Sequence, residues 1–79
     1  MNATIKNMEL IHADNLTPDQ LMPDDLIEIE DGIVTVIDLE SDPFGDKYFI
    51  SYVDEFGDKD VTEIPFDYKI KLFVFVEEL

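Results

Sequence analysis

Leu26-Ile27-Glu28-Ile29-Glu30-Asp31-Gly32-Ile33-Val34-Thr35-Val36-Ile37 consists of two alternating apolar runs joined by Asp-Gly, and its reading decides the fold. Asp31-Gly32 suits a type I′ turn, which needs positive φ at both central residues and twists as the flanking strands do. A two-residue loop there predicts Glu30 opposite Ile33, Ile29 opposite Val34, Glu28 opposite Thr35, Ile27 opposite Val36 and Leu26 opposite Ile37. Ile27, Ile29, Val34 and Val36 then share a core face, and Glu28, Glu30 and Thr35 share a wet one. Leu26 and Ile37 break the alternation, which predicts that the far end of the hairpin curls under a second layer.

On the N-terminal side, residues 4–11 alternate imperfectly and predict a short first strand with Met8 and Leu10 on one face. Thr17-Pro18-Asp19-Gln20 carries an N-cap, a proline at the first helical position and a capping-box Gln, and Pro23 ends the helix almost at once. One helical turn near residues 18–22 is expected, flanked by Leu16 and Leu21 as a hydrophobic staple. Pro23-Asp24-Asp25 reads as the turn that launches the hairpin.

On the C-terminal side, residues 40–46 form a polar loop and residues 47–53 an aromatic, β-branched strand. Asp54-Glu55-Phe56-Gly57 is a hairpin loop with Gly57 in the left-handed region. Four loop residues set Tyr52 opposite Lys59, Ile50 opposite Val61 and Tyr48 opposite Glu63. Residues 59–64 return, Pro65-Phe66-Asp67-Tyr68 makes a turn or a 3₁₀ turn, and residues 69–76 form a last strand that is apolar on both faces near its end. Such a strand should be covered on two sides, or should pair with the N-terminal strand and close the sheet.

The fold class is therefore mainly β: a single small domain over residues 1–79, with five to six short antiparallel strands and turn signals about every ten residues. The order of elements (Asp14-Asn15-Leu16-Thr17-Pro18, then Pro23-Asp24-Asp25 and the tight hairpin, then a second hairpin and Pro65-Phe66-Asp67-Tyr68 before the final strand) resembles small SH3-like β-barrels. Within that group the chain is similar to short uncharacterised proteins of bacteriophage and bacteria. The resemblance spans residues 16–76 and is one of pattern, without a diagnostic motif. Many such barrels carry Pro-Gly-Asp where this chain has Pro23-Asp24-Asp25. The resemblance implies an accessory role in a phage or bacterial cell.

Composition limits the partners. Twenty Asp and Glu stand against five Lys, for a net charge of −15, yet 46% of residues are hydrophobic, too many for a disordered chain. Direct binding to nucleic acid or to an anionic membrane is disfavoured, because phosphate recognition needs clustered Lys or Arg. A basic protein is the expected partner; the bland alternative is that the charge only keeps a small β-protein soluble. There is no cysteine, no basic-then-apolar start, and no apolar run approaching ~18 residues, so a soluble cytoplasmic protein is expected.

Catalysis is argued against. His12 is the only imidazole; it could pair with Asp14 or Glu9, as surface histidines often do without consequence. A chain of this size leaves little room for a substrate cleft of several hundred Å³, and no nucleophile motif or phosphate-cradling loop occurs. Counting from Asp38, Pro43 and Phe49 stand where an EF-hand needs Gly and Glu, so Asp38, Glu40, Asp42 and Asp46 read as a solvated loop or, less favoured, an irregular divalent site. No cofactor or metal is expected.

Recognition is the class that remains. Phe44, Tyr48, Tyr52 and Phe56, with Glu28, Glu30, Asp54, Glu55 and Asp58, form the candidate protein-binding set, a composition suited to a basic or Pro-containing peptide. The competing reading puts Phe49, Phe66, Phe73 and Phe75 in the core and leaves the tyrosines along the surface. A second function would be an acidic nucleic-acid mimic, with Glu28, Glu30, Asp58, Asp60 and Glu63 as an array of carboxylates ~6.5–7 Å apart on a strand face. A third is a structural component of an oligomer joined through residues 69–76. The chain is expected to be a monomer or a small homo-oligomer.

Overall fold

The computed structural model describes residues 7–30 and 32–78; at Asn7, Met8, Glu77 and Glu78 it describes the backbone only. Six antiparallel strands form one sheet: β1 (Asn7–Leu16), β2 (Leu26–Ile29), β3 (Gly32–Ser41), β4 (Lys47–Val53), β5 (Lys59–Pro65) and β6 (Ile70–Glu78). Their order across the sheet is β1-β6-β2-β3-β4-β5. The last strand thus pairs with the first, one of the two alternatives its apolar faces leave open, but the sheet does not close and β1 and β5 remain its edges. The sheet is open rather than a closed barrel. No helix among the described residues is long and apolar enough to cross a membrane.

The core lies on one face, here the inner face. Ile27, Val34, Val36, Ile50 and Ile70 are buried there, with Leu21 descending onto them from the β1–β2 connection. Leu16, Ile29, Leu39, Tyr52, Ile64 and Leu72 pack around this cluster. That connection contains a single 3₁₀ turn, Pro18–Gln20, shorter than the residues 18–22 expected. Thr17 N–H donates to Gln20 Oε1 at 3.1 Å, so the capping-box pair forms as its residue types predict. The aromatic rings are not the core: Phe66 and Phe75 are exposed, and Phe49 and Phe73 are half-buried. The buried cluster is aliphatic because the inner-face positions of β2, β3 and β6 carry Ile, Val and Leu.

Two registers differ from those the sequence predicts. In the central hairpin Ile27 faces Val34 and Leu26 faces Thr35, so the turn sits one residue earlier than Asp31-Gly32, the first of which lies outside the described residues. Glu30 adopts φ +55°, a left-handed conformation that costs an L-residue about 1–2 kcal/mol. Two backbone bonds close the other end, where Asp24 is itself left-handed at φ +75°: Val36 N–H donates to Asp25 O and Asp24 N–H to Val36 O, both at 2.8 Å. Because the pairing slips by two positions along β3 and not by one, Ile27, Ile29, Val34 and Val36 still share the core face.

Ile37, released from Leu26, has no partner and becomes a bulge in β3 between the Val36–Tyr52 and Asp38–Ser51 pairs. β1 runs on to Leu16, past the expected end at Ile11, with a similar irregularity between His12 and Asp14. The β4–β5 pairing is off by one from the expected register: Tyr52 faces Asp60, Ile50 faces Thr62 and Tyr48 faces Ile64. The cause is the loop. Asp54 N–H bonds Asp58 O at 2.9 Å, leaving three residues between them, with Gly57 at φ +85°. A one-residue slip exchanges faces, so Asp60, Thr62 and Ile64 join the inner side.

Candidate functional site

The β2–β3 turn and the β4–β5 loop lie at the same end of the sheet, because β3 starts where β4 ends and Thr35 faces Val53. Between them runs a groove of ≈ 330 Å³. Ile29 and Val34 supply an apolar floor from the inner face and Ile33 borders it from the outer face, with Tyr52 and Phe56 as aromatic lining and Glu30, Asp54 and Glu55 as acidic lining. Among the described residues no lysine lines it.

Asp54 shapes the groove. Its Oδ1 accepts from Phe56 N–H and from Asp58 N–H, both at 2.9 Å, an Asx-type closure that holds the loop and presents Phe56, 82% exposed, to solvent. Tyr52 instead packs against the core, and its phenol is held above its ordinary value of 10.0, first by burial and then by the carboxylates of Asp60, Glu30 and Asp54. The groove is therefore a negative field around a neutral phenol, with one free aromatic ring beside it. Aromatic walls with an acidic rim suit an ammonium or guanidinium carried on an apolar stem.

Of the residues singled out from sequence, Tyr52, Phe56, Glu30, Asp54 and Glu55 come together here. Tyr48 shares the inner face but lies four residues back along β4, ~13 Å at a rise of ~3.3 Å per residue. Phe44, 91% exposed, is at the opposite end of β4, in the loop closed by Asp42 N–H to Lys47 O at 3.0 Å. Glu28 is on the outer face, 3.7 Å from Lys71 Nζ. Asp58 stays in the loop through its backbone and does not line the groove. Asp60 was missed as part of this site, since its place beside Tyr52 depends on the three-residue loop.

The five carboxylates expected to form a mimic-like array do not share a face. Asp60 pairs with Tyr52 on the inner side, whereas Glu63 pairs with Phe49 and Glu28 with Ile33 on the outer side. His12 Nε2 lies 2.8 Å from Asn15 Oδ1 and 3.1 Å from the Asp14 carbonyl, so its partners are not the carboxylates of Asp14 or Glu9. Asp38 and Glu40 lie on β3 rather than in the loop, and in the loop over residues 42–46 Asp42 Oδ1 accepts from Phe44 N–H while its Oδ2 is 3.7 Å from Lys47 Nζ. Among the described residues no three His or carboxylate side chains are grouped to hold a metal ion. The chain matches no family model, no curated protein and no solved structure.

Proposed function

We propose that the protein is a non-catalytic binding module that takes a basic segment of another protein in the groove between the β2–β3 turn and the β4–β5 loop. One observation carries this reading: Tyr52 and Phe56 stand with Glu30, Asp54 and Glu55 around one apolar floor that no described lysine lines. Its accessory role, in the cytoplasm of a bacterial or phage-infected cell, rests on the pattern resemblance to small SH3-like proteins alone.

The test is titration with a labelled peptide carrying Lys and Arg, followed by fluorescence anisotropy. Phe56→Ala and Glu55→Gln should each weaken binding about fivefold, ~1 kcal/mol. Binding should survive ~0.15 M salt, where charges further apart than ~8 Å are screened. Loss of all binding at that salt favours the acidic-mimic reading, which the split of the carboxylates between two faces supports less well. No binding at any salt rejects both.

A second reading, membership of an oligomeric assembly, has one observation in its favour. β6 pairs with β2 only at Phe73 and Leu72, so from Val74 onward its second edge has no partner among the described residues. Light scattering over a concentration series checks it: the mass should rise with concentration, and Val76→Lys should abolish the rise.

A further inference from the structure

A second groove, also of ≈ 330 Å³, opens on the outer face of the sheet, with Leu10, Leu26, Ile33 and Phe75 as its apolar lining. Asp54 and Glu55 line both grooves, and so does Ile33. The two grooves, together the trough, lie mainly on opposite faces of the sheet and adjoin at a shared acidic wall. Resting on the binding reading above, we infer that the partner segment has two parts: an apolar side chain that seats in the outer-face groove, next to a Lys or Arg that meets the wall formed by Asp54 and Glu55 and the rim at Glu30.

The outer face has no buried core of its own, so the apolar residues there call for an explanation. A solvent-facing side of an antiparallel sheet usually reads polar. Here Leu10 of β1 stands opposite Phe75 of β6 and, two residues along β6 on the same face, Leu26 of β2 stands opposite Phe73, which sets a staggered apolar row across β1, β6 and β2. Phe75 is 55% exposed, while Leu10, Leu26 and Ile33 are half-buried. An apolar row of this kind, bounded by charge, is the mark of a contact surface.

Charge decides the occupant. The trough carries carboxylates and no described lysine: Lys47 lies 3.3 Å from Glu63, Lys71 lies 3.7 Å from Glu28, and neither Lys59 nor Lys69 lines either groove. A second copy of the chain would bring a further net −15 to this wall, and a phosphate-bearing ligand would be repelled in the same way. An uncharged apolar segment would leave the wall unanswered. A segment that is both apolar and basic satisfies the two halves together.

The experiment uses three labelled octapeptides on one Ser-Gly background: one with alternating Leu and Lys, one with Ser in place of Leu, and one with Gln in place of Lys. The Leu-Lys peptide should bind roughly tenfold (about 1.4 kcal/mol) tighter than either control. Phe75→Thr should reduce it to the level of the Ser-Lys peptide and leave the Ser-Lys peptide unchanged; Leu10→Thr is the second variant should the first fail to fold by circular dichroism. Equal binding of the Leu-Lys and Ser-Lys peptides overturns the inference and leaves the basic-segment reading standing. So does a Phe75→Thr protein that weakens both alike. A Leu-Gln peptide as tight as the Leu-Lys one overturns both, as does absence of binding by all three.

Discussion

Tyr52 is where side-chain chemistry and pairing meet. Its hydroxyl is held in the protonated form first by burial and next by Asp60, Glu30 and Asp54, so the folded chain keeps this proton longer than the unfolded chain does. Its contribution to stability is complete below the ordinary value of 10.0 and is lost as pH rises through the higher folded value. Lys47 acts in the same direction above 10.5, through its hydrogen bond and charge interaction with Glu63. The protein should therefore lose stability on the alkaline side of pH 10. Subtracting the phenolate absorbance titration of Tyr52→Phe from that of the parent isolates this group, whose midpoint should lie above 10 and move down in Asp60→Asn. A midpoint at or below 10 contradicts the field described around the groove.

Among the elements, the β4–β5 hairpin does most to place the site. Gly57 at φ +85° lets three residues close the turn, and that count sets Tyr52 against Asp60 and aims Phe56 outward. A Cβ at Gly57 would meet nothing within 4 Å, so substitution there is a pure test of backbone conformation. Gly57→Ala should cost about 1–2 kcal/mol, seen as a lower denaturant midpoint with the slope unchanged. An unchanged midpoint would mean that the left-handed conformation is not required. The central hairpin shows the complementary case, in which non-glycine residues, Glu30 in the turn and Asp24 at the far end, take left-handed positions.

At the scale of the whole molecule, charge governs. With −15 on 79 residues the folded chain repels itself, and screening should relieve this. Raising salt from about 0.01 M to about 1 M shortens the screening length from ~30 Å to ~3 Å. The melting temperature measured by circular dichroism should rise across that range. A flat or falling value would mean that local ion pairs such as Lys47–Glu63 outweigh the summed repulsion. The same charge leaves the open edges at β1 and β5 as the places where pairing with another chain is geometrically free.

Short-range patterning made much of this protein legible. The alternation in residues 26–37 identifies Ile27, Ile29, Val34 and Val36 as one face under either turn position, because slips of two preserve side-chain parity. The bounds of β4 and the capped turn at Thr17–Gln20 were readable for the same reason, since each rests on neighbours in sequence, whereas the apolar faces of the last strand left its pairing with the first as one of two alternatives. The gathering of Tyr52, Phe56 and three carboxylates was legible only as composition. What the tertiary structure alone decided were the registers: the turn at Glu30, the bulge at Ile37 and the three-residue loop before Asp58. Each turns on how whole strands share their hydrogen bonds, as Val36 does with Asp24 and Asp25, a comparison that no local stretch of sequence contains. The three-residue loop sets Asp60 beside Tyr52, and the pairing of β6 with β1 and β2 brings Phe75 and Leu26 onto one outer face, where the surface proposed to meet a partner begins.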